Sequence, residues 1–85
     1  MPELCRFFGI IITMNWGDHA PPHFHVRCGE QKGIVALDDL RLIKGNVTPQ
    51  TMAQVRWAAL HPIELARDWA KASRHEELSP IPPLE

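Results

Sequence analysis

Three of the five histidines of this chain fall in the octet His19-Ala20-Pro21-Pro22-His23-Phe24-His25-Val26. In strand conformation alternate side chains go to opposite faces, so His23, His25 and Arg27 share one face while Phe24, Val26 and Cys28 share the other. The second face reads as core and the first as a place for chemistry. Imidazole titrates near neutrality. That makes His23 or His25 a candidate general base, with Arg27 to stabilise a developing anion, as metal-independent RNA cleavage requires. The same pair, with His19 as a third ligand, is a candidate site for zinc or a similar divalent transition metal. The plainer alternative has the histidines hydrogen-bonded to Asp18, Glu30 or the backbone and needs no cofactor.

Pro21 and Pro22 provide no backbone donors and hold the approach extended, which places His19 on a stiff lead-in to the strand. Trp16 lies in the same connection, where an indole is hard to bury, and is a candidate anchor for a partner. Asp18, His19, Arg6 and His61 complete the candidate binding residues. Arg6 is an edge charge or a partner of Asp38 or Glu30. His61, before Pro62, reads as a helix-end residue that hydrogen-bonds freed backbone groups.

These residues need a scaffold. The run Cys5 to Met14 has the aromatic and β-branched composition of a strand, apolar on both faces and therefore central, with Gly9 leaving room for a neighbouring side chain. Asn15 to Pro22 is a long connection. His23 to Gly29 is the second strand, and the glycine-bracketed turn Gly29 to Gly33 returns the chain as Ile34 to Leu37. Leu40 to Lys44 is a fourth short strand. Thr48-Pro49 then opens a helix, with threonine as cap and proline at the first helical position. Met52, Val55 and Ala59 form its apolar stripe. A proline inside a helix costs about 3 kcal/mol, so the helix breaks near Pro62 and restarts with Glu64 in its first turn and Ile63, Ala66 and Ala70 on its apolar side. Trp57 and Trp69 read as packing residues. Four strand-like runs followed by two helical ones predict an α+β fold: a small antiparallel meander with two C-terminal helices on one face. Residues 1–75 form the domain, and the proline-rich 76–85 an extended, solvated tail.

The totals limit the functions open to it. A chain of 85 residues buries only about 60–65% of its unfolded surface, so a partner protein or a second copy would add needed core. A formal net charge of −1 gives no general attraction to nucleic acid or anionic membrane, and leaves only a local site for RNA. No apolar run approaches the length of a membrane span, and no signal-peptide layout is present, so the expected location is the cytoplasm. Cys5 and Cys28 are too few for a secreted disulfide framework and are expected to stay reduced.

The stretches Arg6 to Gly9, Asp18-His19 and Pro21 to Val26, with the helical series Trp57, His61, Glu64-Leu65 and Trp69, together resemble a bacterial family known as domain of unknown function four-one-six-zero. The resemblance covers almost the whole chain, and the Pro-Pro-His-Phe-His-Val block is its most distinctive part. Pro62 departs from the family pattern and implies a break in the last helix. Members look like small proteins encoded beside another short protein. The resemblance therefore implies one half of a toxin–antitoxin-like pair. The small core and near-neutral charge in turn favour a protein-interaction component, with Trp16 and the His19 to Arg27 region as its contact surface.

Overall fold

In the computed structural model, which describes residues 2–84, the aliphatic run at the N-terminus folds back on itself. β1 (Glu3–Phe7) and β2 (Ile10–Thr13) pair antiparallel, with Phe7 opposite Ile10 and Cys5 opposite Ile12. The two turn residues, Phe8 and Gly9, have φ of 49° and 78°, the positive values that a two-residue hairpin requires. The single central strand expected from Cys5 to Met14 is thus a hairpin, because two buried-face strands in succession look the same as one long apolar strand. Gly9 serves the turn and not a neighbour: a Cβ there would meet nothing within 4 Å.

β3 (His23–Cys28), β4 (Gln31–Ala36) and β5 (Leu42–Asn46) extend the sheet. The result is a five-stranded antiparallel meander in the order β1-β2-β3-β4-β5, where about four strands were expected. Cys28 pairs with Gln31, so the turn is tighter than the glycine-bracketed segment suggested. At the far edge β4 and β5 approach closely at Gly33 and Gly45. A Cβ on Gly45 would run into the Lys32 carbonyl.

Alternation sorts the sheet into two faces. Cys5, Phe7, Ile10, Ile12, Phe24, Val26 and Val35 are buried and share one core with Val55, Trp57, Ala58 and Leu65 of the helical region. The opposite face is carried by the pairs Ile11–Arg27, Thr13–His25, Arg27–Lys32, His25–Ile34 and Ile34–Lys44.

Thr48 caps α1 (Pro49–Val55), its Oγ1 accepting from the Thr51 amide at 3.2 Å. The chain then tightens into a 3-10 helix, Arg56–Leu60, and leaves helical geometry at His61 before α2 (Pro62–Ser73) starts on its proline. The break stands where proline chemistry placed it. Val55 is buried and Met52 packs against the core as the stripe requires, but the 3-10 segment, with three residues per turn, takes Ala59 off it, and after the break at His61 packing sets the face of α2. Ala58 is buried and Ala59 exposed. In α2 the inward row is Leu65, Asp68 and Ala72, while Ile63 is 79% exposed and Ala66 also faces out.

The C-terminal segment is extended but not solvated throughout. Ile81 is 2% exposed, its amide donates to the Leu4 carbonyl at 3.0 Å, and Leu78 and Leu84 pack against the core. Trp57 Nε1 donates to the Pro82 carbonyl at 2.8 Å. The fully buried Asp68 carboxylate accepts the Ser79 amide at 3.0 Å. The tail thereby docks on the core and meets the edge strand β1 through the Ile81–Leu4 backbone bond. Among the described residues no helix is long and apolar enough to cross a membrane.

Candidate functional site

The connection between β2 and β3 returns over the start of the histidine strand and sets a carboxylate above it. Asp18 Oδ1 accepts the His19 amide at 2.9 Å, a local turn that aims Oδ2 at the strand. Oδ2 lies 2.9 Å from His23 Nε2 and 3.2 Å from His25 Nε2. The two rings are 5.3 Å apart, and His23 is backed by the Trp69 indole at 5.1 Å. His23 is buried, whereas the side chains of Asp18 and His25 are each about one-fifth exposed, at 21% and 22%. Asn15 Nδ2 stands 3.2 Å from His25 Nε2 and 3.5 Å from Asp18 Oδ2. Burial pushes the Asp18 carboxyl up, but the His25 ring, the His19 amide and the His23 ring outweigh it and bring it down to about 2.

His23 has a defined tautomer. Its Nδ1 is 2.7 Å from the Pro21 carbonyl, which can only accept, so Nδ1 carries a proton. In a neutral ring Nε2 is then a lone pair facing a carboxylate. That contact is attractive when Nε2 also carries a proton and donates to the carboxylate, or when both atoms ligate one metal ion. His25 leaves its Nδ1 without a protein partner among the described residues, and that atom is not sealed from solvent.

The structure brings together Asp18, His23 and His25 but not His19, which is exposed and takes part only through its amide. Arg27 is exposed on the open sheet face next to His25 and has no ion pair among the described residues. Arg6 pairs with Glu3 at 2.7 Å rather than with Asp38 or Glu30. Trp16 is half exposed, and its Nε1 donates to the Glu76 carbonyl at 2.9 Å, tying the loop to the tail. His61 joins Glu64, Nδ1 to Oε2 at 2.8 Å, instead of capping backbone groups. The His61 hydrogen bond holds the Glu64 carboxyl below its ordinary value. Of the two thiols, Cys5 is pushed up to about 12 by burial, which makes it inert. Asn15 and the Trp69 contact were missed. The Asn15-x-x-Asp18 spacing in a glycine-containing loop is the signal that could have suggested the first.

A second feature adjoins this cluster. The open face of the sheet forms a concavity of about 430 Å³, with Ile11, Thr13 and Ile34 as its floor and Arg27, Lys32 and Lys44 around it.

A five-stranded meander backed by C-terminal helices, with a histidine–carboxylate cluster at one end of its open face, defines a small α+β protein. The chain belongs to the family described as Domain of unknown function (DUF4160), whose pattern matches residues 9–70. No curated protein and no solved structure matches it.

Proposed function

We propose that this protein is the interaction component of a two-gene, toxin–antitoxin-like pair, and that its open sheet face receives an acidic, partly apolar segment of the partner protein. One observation carries the reading. On a chain whose formal net charge is −1, the cations Arg27, Lys32 and Lys44 surround an apolar floor, and among the described residues none of them is in an ion pair. Complementary charge of this kind steers association and fixes register. Single-stranded RNA would instead favour aromatic platforms for stacking, and no aromatic side chain other than the His25 ring lines this concavity. The surface differs from the one expected around Trp16, sharing with it His25 and Arg27.

The test is coexpression with the product of the adjacent short gene, followed by size-exclusion chromatography and calorimetry. A complex should form that weakens with salt. The double variant Lys32→Glu, Lys44→Glu should weaken it at least about tenfold, a modest fraction of what like-charge contacts cost. A stable monomer that never associates with its neighbour overturns the proposal. So does RNA cleavage or growth arrest that His25→Ala abolishes, which would favour the ribonuclease alternative.

A further inference from the structure

We propose that Asp18, His23 and His25 form a binding site for a divalent transition ion, zinc in the first instance, with His19 outside it. This inference is independent of the sheet-face reading. Asp18, His23 and His25 each offer one Lewis-basic atom, and the three lie within 4.8 Å of one another. Ligand atoms at 2.0–2.2 Å from a tetrahedral zinc are separated by about 3.3 Å. The two edges from Asp18 Oδ2 already measure 2.9 and 3.2 Å.

The second observation is the backbone lock on His23. Histidines that bind metal through one nitrogen characteristically donate the other N–H to a carbonyl or carboxylate, which fixes the tautomer and orients the lone pair. The bond from His23 Nδ1 to the Pro21 carbonyl does this, and Trp69 packs against the same ring. Asn15 Nδ2 stands 3.2 Å from His25 Nε2 and helps to hold that ring beside Asp18. Asp18 is positioned in turn by the His19 amide. One carboxylate and two imidazoles suit zinc, nickel or ferrous iron better than magnesium or calcium. The partial exposure of Asp18 and His25 leaves a fourth position open to solvent, as in sites where a metal meets a substrate.

Protein prepared without a histidine tag and stripped with a chelator is to be titrated with Zn²⁺ and, separately, Co²⁺. The expected result is roughly one equivalent bound, a raised melting temperature, and the visible absorption of tetrahedral Co²⁺. Asp18→Asn and His25→Ala should each weaken binding by about tenfold or more while circular dichroism shows the fold retained. His19→Ala and His61→Ala should bind as the parent does. Binding below about a tenth of an equivalent overturns the site. Unchanged binding in Asp18→Asn or His25→Ala, or loss of binding in His19→Ala, overturns it equally.

Discussion

Replacing Ile81 by alanine removes most of a side chain that is 2% exposed from a segment whose composition suggests that it should not matter. Ile81 belongs to the same buried cluster as Phe7, Phe24, Val55 and Trp57. Truncating a buried isoleucine to alanine costs about 2–5 kcal/mol, through lost transfer energy and the cavity left behind. Domains of this size lose about 4–8 °C of melting temperature per kcal/mol, so a loss of about 3 kcal/mol lowers it by roughly 12–24 °C. The backbone bond from the Ile81 amide to Leu4 survives the change, so the deficit reads side-chain packing alone. Urea unfolding followed by circular dichroism measures it, with the exposed Pro83→Ala as control, expected within about 0.5 kcal/mol of the parent. If Ile81→Ala also falls within that margin, the tail is not docked. The bonds to it from Trp16, Trp57 and Asp68 would then have no energetic weight.

Glu64 is held low by its His61 partner, so its contribution to stability is fully present above the ordinary value of 4.5 and is lost as pH falls through the depressed folded value. Unfolding of the parent and of Glu64→Gln should show a difference that shrinks towards zero as pH falls below 4.5. The glycines make a paired test. Gly45 has φ of +110° and no room for a Cβ, so Gly45→Ala should cost about 2–5 kcal/mol from strain and overpacking together. Gly9 has φ of +78° and open space, so Gly9→Ala should cost only the conformational term of about 1–2 kcal/mol. Equal effects in chemical denaturation would show that crowding at the β4–β5 crossing is not real.

Several things were legible in the sequence because they depend on neighbours in the chain. Strand alternation put His25 and Arg27 on one face and Phe24 and Val26 on the other. Thr48-Pro49 marked a helix start, Pro62 marked a break, and Asp18 was among the groups within reach of the histidines. The hairpin at Phe8-Gly9 was not legible, because an aromatic residue at positive φ is uncommon and the apolar pattern runs on through the turn. Nor was the buried row of α2, since the chain leaves helical geometry at His61 and the helix that restarts takes its face from packing, which periodicity across the break does not encode. Tertiary structure alone decided that Asp18 and not His19 faces the imidazoles: the loop closes on the strand through a carboxylate anchored by its own next amide, leaving the His19 ring in solvent. It also decided that Ile81 is core and that Asp68 can be buried, because both depend on where a tail with little intrinsic structure finds partners, and those partners lie far away along the chain.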